Sequence, residues 1–271
     1  MSEEMINKVL AEVVKQMGGE GPAPSSAPAA PTAAPTPAAG SVPAVTEFVG
    51  TNALGDTIGL VIANVDSQLL KAMKPEKEYR SIGILGARTG AGPHIFAADE
   101  AVKATNSEIV SIELPRDTKG GAGHGSLIIF GAEDVSDARR AVEVALGELD
   151  RTFGDVYGND AGHLEFQYTA RASYALNKAF GAPIGKAFGI TVGAPAGIGV
   201  VLADTAVKAA TVDVIGYASP AGGTSYSNEV ISFLSGDSGA VRQAIIAARE
   251  VGIPLLGALG ATPESTTTPY I

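Results

Sequence analysis

From residue 48 onward the chain alternates short, dense apolar runs with longer stretches in which apolar positions recur every three to four residues. Runs of the first kind read as buried strands and stretches of the second kind as helices with one packed face. Residues 48–59 form a short entry segment with a Gly-Asp turn, and Gly-Leu-Val-Ile-Ala-Asn-Val at 59–65 predicts a buried strand. Asp66 and Ser67 can cap a short helix over 68–73, which Lys74-Pro75 stops. A strand over 81–86 follows, then Ala-Arg-Thr-Gly-Ala-Gly-Pro and a helix over 94–105. Residues 108–114 predict a strand, 115–126 a polar glycine-rich loop and 127–131 a second strand. Ser136 opens a long helix with Ala138, Val142, Ala145, Leu146 and Leu149 on one face.

The same order then starts again. Ala-Asp-Glu-Ala-Val-Lys-Ala within 98–115 returns 105 positions later as Ala-Asp-Thr-Ala-Val-Lys-Ala within 203–220, and both stretches end on proline. Residues 164–170 answer the first strand, 174–180 the short helix and Phe188-Gly-Ile the segment Ile82-Gly-Ile. A strand over 213–219, a loop over 221–228 and a strand over 229–236 follow, then a helix over 240–251 and a final apolar run at 255–259. The loop in each copy is too short for a crossover, so its flanking strands must pair antiparallel. The expected class is α+β, two tandem domains over 47–155 and 156–271, each with helices packed on a small antiparallel sheet.

Residues 1–17 carry a separate stripe. Met5, Ile6, Val9, Leu10, Val13, Val14 and Met17 fall at helical spacing, with glutamates, lysines and amides between them. A helix of about 16 residues is marginal alone in water, so the stripe wants a partner, either its own domain or another protein. Residues 18–46 hold seven of the sixteen prolines among Ala, Ser and Thr and read as a linker. At ~3.1 Å per residue it can reach up to roughly 90 Å. A sticky helix on such a tether reads as a docking peptide.

Composition removes several classes of function. There is no cysteine, which excludes disulfides, thiolate nucleophiles and Cys-based zinc sites. A net charge of −10 argues against nucleic acid or an anionic membrane as partner. No apolar run is long enough to span a membrane, and charges through residues 1–17 exclude a signal peptide, so a soluble cytoplasmic protein is expected.

The local motifs carry little chemistry. Gly86-Ala-Arg-Thr-Gly-Ala-Gly92 lacks the Lys-Ser/Thr ending of a phosphate loop, and a tight strand-to-helix turn is the better reading. Gly120-Gly-Ala-Gly-His-Gly125 precedes a strand, whereas a dinucleotide fingerprint must open a helix. His94, His124 and His163 show no metal-ligand spacing and read as loop or surface residues. Asp155, Asp160 and Glu165 read as solvated carboxylates, and no nucleophile elbow exists. Neither a cofactor nor a metal is expected. Lys103 and Lys208 share one repeat position on alanine-rich helices, either as solvent-facing lysines or at a surface that something approaches closely.

The Ala-Asp-x-Ala-Val-Lys-Ala helix, followed by strand, glycine-rich loop, strand and long alanine-rich helix, resembles the bacterial microcompartment shell domain. Two copies, each preceded by an extra strand and short helix, resemble its tandem, circularly permuted form. The resemblance covers residues 48–271 and includes stretches as long as 79–94 and 113–125. It implies a homotrimer shaped as a pseudohexagonal tile in a cytoplasmic microcompartment shell, contacting other shell proteins at its edges. It places the two loops around pores or subunit channels. These are Arg116, Asp117, Lys119, Gly120, Gly121 and His124 in the first, and Gly222, Gly223, Thr224, Ser225, Ser227 and Asn228 in the second. It places Lys103 and Lys208 at tile edges. It assigns the arm, through Ile6, Val9, Leu10 and Val13, to docking of encapsulated cargo enzymes. Hydroxyl and amide groups in the second loop would suit a small polar metabolite such as a diol or glycerol.

Two functions follow for comparison. One is a structural tile that passes small polar molecules and does no chemistry. The other is a trimeric α+β ligand- or nucleotide-binding regulator whose glycine loops hold the ligand.

Overall fold

The computed structural model describes residues 45–115, 125–219 and 228–271. The expectations for residues 1–44, which include Ile6, Val9, Leu10 and Val13, lie outside them, as do those for Arg116 to His124 and for Gly222 to Ser227.

The first repeat is built from β1 (Phe48–Asn52), β2 (Thr57–Ile62), α1 (Ser67–Met73), β3 (Ser81–Ala87), α2 (Ala91–Ala104), β4 (Glu108–Glu113), β5 (Ser126–Ala132) and α3 (Val135–Thr152). The second has β6 (Val156–Asn159), β7 (Gly162–Thr169), α4 (Tyr174–Phe180), β8 (Ala187–Ala194), α5 (Ala196–Ala209), β9 (Asp213–Ala218), β10 (Val230–Gly236), α6 (Ser238–Gly257) and β11 (Glu264–Ser265). The sheets run β1-β2-β3-β5-β4 and β11-β6-β7-β8-β10-β9. Every neighbouring pair is antiparallel, as the short loops require.

Each repeat lays its long helix across its sheet, and a glycine sets how close the two come. A Cβ on Gly83 would stand 2.6 Å from the Ala138 carbonyl oxygen and 2.8 Å from Val142 of α3. One on Gly189 would stand 2.9 Å from Val241 and Ile245 of α6. The repeated apolar-Gly-Ile motif is therefore a packing device. Side chains of alternate parity, such as Ile82 and Ile129, join Leu70 of α1 in a second cluster.

Several elements differ from expectation. Residues 48–59 hold edge strand β1 and a 3-10 turn at Leu54–Asp56, where an entry segment was expected. Their glycines and polar residues conceal a strand that exists because it pairs with β2. Helix α6 runs to Gly257 with Pro254 inside it, beyond the expected end at 251. Proline removes one backbone donor there, while the extra turn fully buries Leu256. The Gly86–Gly92 segment is the expected tight turn, with Gly90 at φ 86° heading α2.

Two polar residues read as surface groups are buried, and a third, Glu165, is largely covered. His94 sits inside α2 with its Nδ1 2.6 Å from the Gly90 carbonyl and its Nε2 2.7 Å from Thr57 Oγ1. Burial drives its pKa down to about 4, keeping the ring neutral. Asp155 is fully buried, accepting from Arg249 at 2.8 Å and from the Tyr270 and Ile271 amides at 2.9 and 3.2 Å. It clasps the last residues of the chain onto the second repeat. Glu165, like His163, lies at the seam between the repeats.

Candidate functional site

That seam is where the repeats become chemically different. Helix α2 lies between its own sheet and the face of the second sheet, so its apolar core runs on without interruption into Ala172, Leu176, Phe188 and Ile190. Phe96 stacks on Phe188 at 5.9 Å, and Phe180 stacks on Phe233 at 4.9 Å. Such offset ring pairs add to their area burial.

Asp99 locks the seam. Its carboxylate crosses from α2 to the start of α4, accepting from Ser173 N at 3.0 Å and Leu176 N at 3.2 Å. Ser173 leaves its own helix uncapped by its side chain, so the cap comes from the other repeat. Lys103 closes over it, 2.9 Å from Asp99 and 3.0 Å from Glu100. Burial raises the Asp99 pKa despite the opposing lysine and the amide hydrogen bonds.

Behind this lock a few polar side chains meet a mostly apolar seam. Gly92 of α2 faces Glu165 and Gln167 so closely that a Cβ would stand 3.2 Å from an oxygen of each. Both amide atoms of the fully buried Gln167 lack a partner, and they line a cavity of about 70 Å³ with Glu165, Glu229, Ile95 and Phe233. His163 Nε2 lies 3.2 Å from Glu229 and 3.8 Å from Glu165 without aligned hydrogen bonds. Burial opposes charge on the ring, but the two carboxylates outweigh it and its pKa is raised. Glu165 is pushed up by burial, with His163 opposing and Glu229 reinforcing. Among the described residues no group of three or more His, Cys, Asp or Glu is arranged to hold a metal ion.

The sequence-predicted site residues fall as follows. Lys103 is not a free surface lysine, since its side chain is only 23% exposed and held at the seam. Its mate Lys208 is 73% exposed and pairs with Asp204 at 2.7 Å. Asn228 accepts from Ala196 N at 3.0 Å, fixing the end of the second loop against the start of α5. The roots of both loops are tied: Gly125 N donates to Pro115 O at 3.1 Å, and the Ser219 hydroxyl to Glu229 O at 3.1 Å. Sequence reasoning missed Asp99, Glu165, Gln167 and Glu229 as a group. One signal was available: Asp99 sits four residues before Lys103 in the repeated motif, and Asp204 four before Lys208.

Comparison with known proteins bears directly on this duplicated architecture. The BMC domain model matches twice, over residues 81–159 and 187–261. The bacterial microcompartment shell protein PduB of Citrobacter freundii is 65% identical over 271 residues, covering 100% of this chain and 99% of the relative. The chain belongs to the bacterial microcompartment shell protein family. The crystal structure of a trimeric microcompartment shell protein PduB superposes with a TM-score of 0.81 at 56% identity, covering 84% of this chain and all of that one. EtuB from Clostridium kluyveri gives 0.80 at 58% identity with the same coverage. In each repeat the BMC match begins at the β3 or β8 position, with β1–β2–α1 or β7–α4 before it, as the permuted form requires. The protein is thus a shell protein of a bacterial microcompartment, built from two BMC domains. No described helix is long and apolar enough to cross a membrane. Nothing among these relatives supports a ligand- or nucleotide-binding regulator.

Proposed function

We propose that three copies close into a pseudohexagonal tile of the shell, which passes small polar metabolites and catalyses nothing. The observation that carries this reading is the duplication itself: two like domains joined head to tail leave one unsatisfied end on each side, and a head-to-tail contact that closes makes a ring. The trimeric PduB relative supports three as the number.

In this reading the loops carried by β4–β5 and β9–β10, residues 116–126 and 221–228, surround the openings. The polar side chains of Glu165, Gln167 and Glu229 at the seam supply hydrogen-bonding groups to a diol, glycerol or similar molecule crossing within one subunit. Lys103 and Lys208 contribute to contacts with neighbouring shell proteins. The N-terminal arm, through Ile6, Val9, Leu10 and Val13, docks encapsulated enzymes. Light scattering on the purified full chain tests the ring, with three copies expected and a stable monomer contradicting it. Deleting residues 1–46 tests the arm: the trimer should persist while cargo enzymes cease to co-purify, and undiminished cargo would refute docking.

A further inference from the structure

Two cavities meet at the seam, and the wall between them consists of three titratable side chains. The smaller, of about 70 Å³, is lined by Glu165, Gln167, Glu229 and the rings of Phe180 and Phe233. The larger, of about 350 Å³, lies between Thr89, Gly90, Phe153 and the β6–β7 turn, and is lined by His163 and again by Glu165. Glu165 thus faces both, while His163 of the larger cavity stands 3.2 Å from Glu229 of the smaller. His163 and Glu165 share one face of β7, and Glu229 immediately precedes β10, two strands away in the same sheet. The three side chains are 14%, 13% and 5% exposed, yet neither ring nitrogen of His163 has an aligned hydrogen-bond partner. Polar atoms left unpaired in so covered a place call for a function. Asp160 is the only other titratable residue lining either cavity, and Arg88, beside Thr89 in the β3–α2 turn, lines neither.

We propose that His163, Glu165 and Glu229 form a latch between the two cavities, shut while the imidazole holds a second proton and released when that proton leaves. The inference rests on the reading in which a small polar molecule crosses within one subunit, and names what regulates the crossing. A protonated ring has two N–H donors and a charge, so it draws both carboxylates onto itself and the wall closes. A neutral ring keeps one donor and holds at most one of them. The two glutamates are then like charges at a covered site and push apart, which joins the cavities. The surroundings favour the shut form in mild acid. Burial opposes charge on the ring, but the Glu229 and Glu165 carboxylates outweigh it and hold the His163 pKa above the ordinary histidine value. Release therefore comes as pH rises through a value above about 6.5. Glu165 is raised too, by burial first, with His163 opposing and Glu229 reinforcing, so stronger acid protonates it and leaves the His163–Glu229 pair in place. The first repeat has Asp56, Ile58 and Gly125 at the corresponding positions, so it has no imidazole there and the latch is particular to the second.

The chain has no tryptophan, so one placed in the smaller cavity reports on access to it. Phe180 lines that cavity and is only half-buried, which makes Phe180→Trp in the full chain a suitable probe. Acrylamide, a neutral polar quencher about the size of a small diol, should give a Stern–Volmer slope at least about threefold greater at about pH 8.5 than at about pH 5.5. His163→Gln in the same background should abolish the difference, and Glu229→Gln should move its midpoint to lower pH. In the parent chain, imidazole NMR over the three histidines, with His163 assigned by its loss in His163→Gln, should show that ring titrating above about pH 6.5. A His163 that titrates below that value would overturn the latch, whatever the tryptophan variant does. Equal quenching at both pH values, or a pH dependence that survives His163→Gln, would overturn the latch while leaving the passage standing. An indole at position 180 that acrylamide reaches at neither pH would overturn passage and latch together.

Discussion

Removing the Asp99 carboxylate is the sharpest perturbation of the fold. Asp99→Ala takes away an N-cap supplied by the other repeat and so leaves the Ser173 and Leu176 amides without their acceptor at a buried seam. Each buried donor left unsatisfied costs ~1–3 kcal/mol. Lys103 keeps Glu100 at 3.0 Å, which limits the loss on its side. The sum is about 3 kcal/mol, which for a chain of this size lowers Tm by roughly 6–12 °C. Because burial raises the Asp99 pKa, a neutral isostere is better tolerated: Asp99→Asn retains an accepting oxygen and should cost only about 1 kcal/mol. Urea denaturation at pH 7 measures both, with all variants at one protein concentration because association adds to apparent stability. Asp99→Ala within about 0.5 kcal/mol of the parent, or Asp99→Asn costing as much as Asp99→Ala, would refute the cross-repeat cap.

Other consequences can be checked alongside. Asp155→Ala leaves Arg249 and two terminal amides unpaired in a buried site and should cost ~3–5 kcal/mol by the same assay, a loss below about 1 kcal/mol counting against the clasp. With its pKa held down to about 4, neutral His94 contributes stability that is complete above its unfolded value near 6.5 and lost as pH falls toward 4. That amounts to about 1.4 kcal/mol per pH unit within the window. His94→Gln should flatten the fall between pH 6.5 and 4.5, and an unchanged slope would show that the ring is not buried neutral. Lys208→Ala should reduce packing of tiles into layers more than folding of the chain, as scored by microscopy and circular dichroism, whereas Lys103→Ala, which uncovers Asp99, should also destabilise the chain. Layers unchanged in Lys208→Ala would remove its edge role.

What could be read in the sequence was whatever depends on local periodicity. The duplicated Ala-Asp-x-Ala-Val-Lys-Ala helix, the antiparallel strands around each short loop and the long amphipathic α3 all follow from spacing within a few residues. Strand β1 escaped because Gly50 and Asn52 break up its Phe48, Val49 and Thr51, leaving too short a run until it pairs with β2. The polar core escaped for the same kind of reason. Asp155 finds Arg249 94 residues away and Asp99 finds Ser173 74 residues away, so neither burial can be inferred from its neighbours in the chain. Glu165 and Gln167 look like the outward positions of a strand, and only α2 arriving from the other repeat turns them inward.

If this duplicated fold makes a wall, electron microscopy of the purified full chain should show flat layers of hexagonally packed tiles, each with threefold symmetry. Discrete particles that never pack edge to edge at any protein concentration would contradict it.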